Sequence, residues 1–519
     1  MKSWVEHTRD FSWDRLWERF DGDKLNMNIA HECIDRHRGR GTAVSIKFAD
    51  GHAEHYSFDA LADDTSRFAH WLAAQGVNKG DRVAVLLDPS RAFYVSIFGA
   101  IKFGAVAVPM FTLFGPDALA LRIDDCKPAL IIALDPAGVL RDRFPGIRVV
   151  DPDAAFWEAL GEQSANFEPS TAASDLAVFQ YTSGTTRALP EAVKHTHRSV
   201  VTLMVAALYG VGLEAGDNYF CPSSPAWGHG LWHGTIAPLA LGIHIAAYSG
   251  KFDPVRVLEA LEEFSIDNFS AAPTVIRMLR NSEATGRYRI KLAKLSYTGE
   301  PMDLSTWDWA SEAFGIAPRS MYGSTEVGVL VVNFPGFPDY KVKRGALGMP
   351  VPGLSVEVID QDGRTLPPNQ SGEIAVHRKQ GWFYVKDRGY RDEEGYIFIE
   401  GRSDDVIISA GWTMSAVEIE NTLMKHPAVA EAAVVGVPDP LRGQVAKAFV
   451  VARGQKEGIV ADGVIDDIQS FMKAQLSQHE YPRHIEFVEE LPKTPAGKIN
   501  RKALRDRAAL RSTPRSSTD

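Results

Sequence analysis

The sequence predicts an α/β protein: a large N-terminal domain of packed α/β sheets plus a β-rich subdomain, followed by a small mobile α+β C-terminal domain. Three observations predict it. Helix and strand patterns alternate between about Ser57 and Ile132 and again from Leu176 to about Ala271, the rhythm of βαβ units in a mainly parallel sheet. After about Gly348 the texture changes to short strands separated by turn residues. Past Gly401-Arg-Ser-Asp-Asp405 a small mixed unit follows. A length of 519 residues allows several such units.

In chain order, Met1 to Phe20 mixes Lys2, Glu6, Arg9, Asp10 and Asp14 with aromatics and has no apolar run of signal-peptide type. Phe58, Leu61, Phe68, Trp71 and Leu72 fall at helical spacing, and Gly76 stops that helix. Arg82 to Leu87 reads as a buried strand, Ser90 can cap a helix running to Phe103, and Gly104 to Val108 returns as a strand. The most apolar stretch, Tyr94 to Phe111, is broken by Lys102, Gly104 and Pro109, so no membrane span is expected. Val356–Asp360, Gly372–His377 and Gly395–Glu400 read as the short strands of the subdomain. The last unit contains a helix Val417–Met424, strands Ala430–Val437 and Ala446–Val451, and a helix Val464–Leu476. A boundary at Arg402–Asp405 divides the chain into 1–402 and 403–519.

Composition narrows the function. With 56 basic and 66 acidic side chains the net charge is −10, which argues against a nucleic-acid partner. A hydrophobic fraction of 45% with 24% charged residues is ordinary for a globular protein and excludes extensive disorder. Cys33, Cys126 and Cys221 lie far apart without a CxxC pair and read as buried thiols of a cytoplasmic protein.

Four stretches carry chemistry. Tyr181-Thr-Ser-Gly-Thr-Thr-Arg-Ala-Leu-Pro-Glu-Ala-Val-Lys194 follows a strand, and its hydroxyls and glycine suit phosphate oxygens. It lacks the GK[ST] ending of a Walker A loop, and alone such a stretch is more often an ordinary turn. Tyr322-Gly-Ser-Thr-Glu326, preceded by Tyr297-Thr-Gly-Glu-Pro301, offers an aromatic to stack a purine and a hydroxyl and carboxylate for phosphate and Mg2+; alone it could as well be a strand end with a surface glutamate. Asp387 followed by Arg402 supplies the acceptor and donor a ribose diol needs, though a surface ion pair is the simpler reading. Pro492-Lys-Thr-Pro-Ala-Gly-Lys-Ile-Asn-Arg501 presents Lys498 after a glycine turn; alone it is one more solvated lysine.

In this fixed order the four stretches resemble the adenylate-forming superfamily of acyl-CoA synthetases, nonribosomal adenylation domains and luciferases. The resemblance covers essentially the whole chain and is reinforced by Gly401-Arg-Ser-Asp-Asp-Val-Ile-Ile-Ser-Ala-Gly411 and by His426 to Pro440. Ser224-Pro-Ala-Trp-Gly228 and Gly299-Glu-Pro301 look closest to the acetyl- and medium-chain acyl-CoA synthetase branch. It implies a ligase using ATP, Mg2+ and coenzyme A: a carboxylic acid attacks the α-phosphate of ATP, and CoA then displaces AMP from the acyl-adenylate.

Carried over by position, the resemblance implies that Thr182, Ser183, Gly184, Thr185 and Thr186 wrap the β- and γ-phosphates, with Arg187 or Lys194 adding charge. Gly299, Glu300 and Pro301 line the adenine, and Tyr322 stacks on it. Thr325 touches the α-phosphate, Glu326 holds Mg2+, and Asp387 with Arg402 binds the ribose. Lys498 serves adenylation alone, Asp404 is the hinge of a rotating C-terminal domain, and Gly411 lies where the pantetheine passes. Trp227, Gly228, His229, Leu231, Trp232, Ala271 to Thr274 and Gly323 neighbour the acyl group, although packing could make some of them core. Because Gly323 has no side chain where acetyl-specific members carry tryptophan, the resemblance implies an open pocket and a medium-chain or aromatic acid, unless the glycine serves the backbone turn alone and another side chain fills the space. His195 and His197 have no carboxylate partner in sequence, and His197 is expected to pack in the core or wall the pocket.

Three departures from the family pattern bear on ATP. Arg187 replaces a glycine with one residue added after it, and Glu191-Ala192 stands where Lys-Gly is usual. Val385-Lys386 stands where Thr-Gly precedes the ribose aspartate, and Thr413 where arginine is frequent. Two other functions share these motifs: a free-standing adenylation enzyme loading a carrier protein, and a degenerate nucleotide-binding protein. A homodimer is left open.

Overall fold

The computed structural model describes residues 3–114, 116–181, 192–324, 327–402, 407–409, 412–414, 416–439, 443–453, 463–476, 481–494 and 498–512. The chain forms two units: Met1–Thr298 with Glu312–Lys341 and Val351–Gly353, and Gly299–Ser311 with Val342–Pro350 and Leu354–Asp519. The expected boundary at Arg402–Asp405 falls largely on residues outside the described set.

The first unit starts from two helices whose ends the sequence marks. The helix Phe58–Ala74 begins where Ser57 Oγ accepts the amide of Ala60, and Gly76 follows it at φ +79°. The helix Arg91–Phe103 begins where Ser90 Oγ accepts the amide of Phe93 and stops at Gly104, φ +91°, where a left-handed residue is needed. Each cap is worth about 1 kcal/mol. The two helices pack closely at a glycine: a Cβ on Gly99 would lie 2.6 Å from Phe68 Cδ1. Lys102, a break in the apolar pattern, is wholly buried and donates to Asp35 at 2.6 Å and Ser66 Oγ at 3.1 Å.

The helix Arg91–Phe103 packs on a six-stranded sheet ordered Arg148–Val150, Leu130–Ala133, Arg82–Leu86, Val106–Pro109, Leu176–Gln180, Val193–Thr196. All pairs are parallel except the last. A second sheet runs Gly328–Val332, Arg319–Ser324, Lys294–Tyr297, Asn268–Ala271, Asn218–Phe220, His244–Ser249, Thr42–Phe48, Ala53–Ser57. The pairs from Arg319–Ser324 through Thr42–Phe48 are parallel, whereas Gly328–Val332 and Ala53–Ser57 pair antiparallel with their neighbours. The expected α/β architecture is therefore present, and Cys33, Cys126 and Cys221 are free and buried.

In the second unit Val356–Ile359, Gly372–Arg378, Gly381–Arg391 and Ile397–Arg402 form an antiparallel four-stranded sheet. The C-terminal strands Val429–Asp439 and Gly443–Ala452 pair antiparallel, and His484–Phe487 adds in parallel. Period-two alternation sorts their side chains: Val434 and Val450 pack with Ile419, Leu423, Ile468 and Met472, whereas Val435 and Phe449 pack with Leu504 and Ala508. Among the described residues no helix is long and apolar enough to cross a membrane.

Candidate functional site

The phosphate-loop stretch leaves the strand Leu176–Gln180 and returns as Val193–Thr196, antiparallel to it, with Gln180 opposite Val193. Thr182, Ser183, Gly184, Thr185, Thr186, Arg187 and Glu191 lie outside the described residues. Both flanks are fastened to one carboxylate. Asp125, in the helix Pro116–Cys126, accepts the Tyr181 hydroxyl at 2.6 Å and the Ala192 amide at 3.3 Å through the same oxygen. Burial, reinforced by Asp125, pushes the Tyr181 phenol well above its ordinary range. Lys194 is exposed, its ammonium 5.4 Å above the Phe179 ring.

Parallel strands aim their carboxyl ends at one edge of a sheet, where ligands of open α/β sheets bind. At the ends of Asn218–Phe220 and Asn268–Ala271 sits His229, buried, sharing hydrogen bonds with Ser223 Oγ at 3.1 Å and Ser270 Oγ at 2.9 Å. Burial pushes its pKa down to about 3, so the ring is neutral. Trp227 lies beside it, ring centroids 5.5 Å apart, and is half-buried. Leu231 is fully buried core, and Trp232 is buried with its indole donating to Gln180 Oε1 at 2.9 Å. His197 is core rather than wall: it is fully buried, and its Nδ1 accepts the Ile29 amide at 3.1 Å.

Tyr322 and Gly323 end the strand Arg319–Ser324 in a hairpin with Gly328–Val332, and Thr325 and Glu326 lie outside the described residues. Gly323 has a backbone reason of its own. A Cβ there would lie 2.0 Å from the carbonyl oxygen of Gly328, closer than any real contact. The missing side chain therefore lets two strands approach, and Gly323→Trp would part the hairpin before it narrowed any pocket.

In the second unit Gly299 turns at φ +100°, Glu300 is half-buried and Pro301 is exposed. Asp387 is buried and is the register partner of Arg402 across the antiparallel pair. Lys386, in place of the family's glycine, has φ +63°. We expect Lys386→Gly to stabilise the protein by up to about 1 kcal/mol, because the left-handed penalty of about 1–2 kcal/mol exceeds glycine's extra unfolded-state entropy of about 0.4–1 kcal/mol. A lower denaturation midpoint in the variant would contradict this.

Lys498 is half-buried and tied back to Thr494: the Thr494 amide donates to its carbonyl at 2.7 Å and its amide to Thr494 Oγ1 at 3.3 Å. The Asn500 amide donates to the Pro492 carbonyl at 2.7 Å, and Arg501 pairs with Glu420 at 2.7 Å, which anchors the segment to the helix Ala416–Leu423. Asp404 and Gly411 lie outside the described residues. Sequence reasoning passed over Asp125 and Gln180. Gln180 left a trace, a polar residue closing the apolar run Leu-Ala-Val-Phe, whereas Asp125 left none.

Two families of known proteins match the chain. The AMP-binding enzyme family matches residues 33–382, and the AMP-binding enzyme C-terminal domain matches residues 418–498. The chain belongs to the AMP-binding enzyme family. Within it the relatives are acyl-CoA synthetases, and this chain is an AMP-forming acid–thiol ligase of that kind. It is 31% identical to the acetyl-coenzyme A synthetase of Bacillus subtilis over 97% of its own length and 95% of the relative's. It is 32% identical to a mitochondrial acyl-coenzyme A synthetase of Rattus norvegicus, covering 88% of this chain and 85% of that one. The crystal structure of the anthranilate CoA ligase AuaEII with anthranoyl-AMP superposes with a TM-score of 0.84 at 26% identity, covering 94% of this chain and 98% of that one. An acyl-CoA synthetase from Brucella canis superposes at 0.76 with 30% identity, covering 98% and 100%.

Proposed function

We propose that this ligase activates a medium-chain or aromatic carboxylic acid in two half-reactions. The substrate carboxylate attacks the α-phosphorus of ATP, and the bond to the bridging oxygen breaks to release pyrophosphate. The CoA thiolate then attacks the acyl carbonyl carbon, and AMP leaves. No general base is needed for the first step, since a carboxylate is ionised at neutral pH. Catalysis then rests on positioning and on neutralising charge at phosphate oxygens.

The observation that supports this most directly is the pairing of Asp387 with Arg402 in strand register, residues of the types that accept from and donate to a ribose diol. Lys498 supplies a cation for adenylation, and the Asp125-fastened loop supplies phosphate donors. Glu326 would hold Mg2+, which adds charge neutralisation when bound. Among the described residues no group of three His, Cys, Asp or Glu could hold a metal. A phosphate-bound Mg2+ needs only one or two carboxylates, so a lone glutamate fits. The domain division at 402/403 and the hinge at Asp404 belong to the same proposal, as does a cytoplasmic setting, with which three buried free thiols agree.

The acyl preference rests on Trp227 and on the aromatic acids named for two neighbours, anthranilate and benzoate CoA ligases. Each buried methylene adds about 0.8 kcal/mol, roughly a factor of four. A panel of carboxylic acids scored for pyrophosphate release, with and without CoA, tests this; acetate as the best substrate would contradict it. AMP release that needs a carrier protein instead of CoA would move the acceptor.

The altered loop makes its own prediction. With Glu191 where a phosphate-binding lysine is usual, Arg187 carries part of that duty. Arg187→Ala should raise the Michaelis constant for ATP several-fold, about the loss of one charge-assisted hydrogen bond, and more than Glu191→Ala does. A larger effect from Glu191→Ala would reverse the assignment.

A further inference from the structure

Beside Trp232 two buried polar nitrogens have no partner. Gln180 is 3% exposed, and its Oε1 accepts the Trp232 indole N–H at 2.9 Å. An indole nitrogen only donates, so this bond fixes which end of the amide is which and leaves Nε2, a donor, buried without an acceptor. His195 lies on the same sheet face, opposite Val178, with its ring centroid 4.5 Å from that of Trp232. Its Nε2 is likewise buried and unpartnered.

Folded proteins rarely leave such groups unmade, because each costs about 1–3 kcal/mol. Gly228 stands directly against the amide: a Cβ built on it would be 3.5 Å from Gln180 Oε1 and 4.0 Å from Nε2, ordinary van der Waals contact. Gly228 follows Trp227, in the segment to which the acyl group is assigned above.

We propose that Gln180, held by Trp232 and flanked by His195 and Gly228, is a subsite for a neutral acceptor oxygen on the acyl chain, so that the preferred acid carries a carbonyl, ether or hydroxyl oxygen away from its carboxylate. This rests on the ligase reading. The substituent is neutral because neither flanking group carries charge: an amide has none, and burial pushes His195 down to about 4. A second carboxylate would be desolvated there without a cation.

The test uses matched acids: hexanoate against its 3-, 4- and 5-oxo derivatives, of equal chain length, and 4-ethylbenzoate against 4-methoxybenzoate, of equal size, each scored by kcat/KM for pyrophosphate release. The best acceptor-bearing member should exceed its hydrocarbon partner by about tenfold, one hydrogen bond's worth of discrimination. Gln180→Met and Gln180→Leu each remove the donor, the first with a side chain of nearly the same length. Either substitution should bring the ratio to about one or below, a change that a merely structural role would not produce, since both acids meet the same variant. Equal rates for the wild-type pairs, as when a water satisfies the amide, overturn the subsite, and so does a ratio that survives both substitutions. Turnover of hydrocarbon acids alone sinks the subsite but spares the ligase; turnover of no acid sinks both.

Discussion

Lys498→Ala should cut carboxylate-driven pyrophosphate release by about 10²–10³-fold, the usual cost of removing one preorganised group that stabilises transition-state charge. Thioester formation from a supplied acyl-adenylate should largely survive. Backbone bonds at Lys498 and beside it do not depend on its side chain. They join the Thr494 amide to the Lys498 carbonyl and the Asn500 amide to the Pro492 carbonyl, and neither involves the ammonium. The Arg501–Glu420 pair that anchors the segment is also untouched. Equal loss in both half-reactions would remove the adenylation-only role.

Asp125→Ala should raise the Michaelis constant for ATP by about 10–100-fold with a smaller change in turnover. One carboxylate oxygen accepts from Tyr181, just before the phosphate loop, and from Ala192, just after it. Removing it leaves the Ala192 amide short of an acceptor, about 1–3 kcal/mol, and loosens Tyr181, whose hydroxyl keeps only the Arg122 carbonyl at 3.0 Å. Tyr181→Phe, which loses one bond and keeps the other, should fall well short of that effect. An unchanged ATP constant in Asp125→Ala would show that the loop holds its shape without this clasp.

What could be read from the chain was local. The helices Phe58–Ala74 and Arg91–Phe103 carry their own caps and glycine stops, so their ends matched the expectation closely. The strands Thr42–Phe48 and Ala53–Ser57 were passed over, because Thr42–Phe48 finds its parallel partner at His244–Ser249, far along the chain. The register pairing of Asp387 with Arg402 joins residues that sequence could name but not bring together. Gly323 shows the opposite failure. An absent side chain was read as empty pocket, whereas the Gly328 carbonyl occupies the place a Cβ would need. Asp125 and Gln180 act through contacts to Tyr181, Ala192 and Trp232, which spacing alone does not encode.

The central claim is that this chain joins a carboxylic acid to CoA through an acyl-adenylate, and single-turnover chemistry with ATP and the best acid of the panel tests it most directly. Without CoA, pyrophosphate should appear only when the acid is present, with acyl-adenylate retained on the enzyme. Adding CoA should convert that adenylate to acyl-CoA and AMP in equal amounts. ATP binding with no acid-dependent pyrophosphate release would contradict the claim and leave a nucleotide-binding protein that has lost the ligase chemistry.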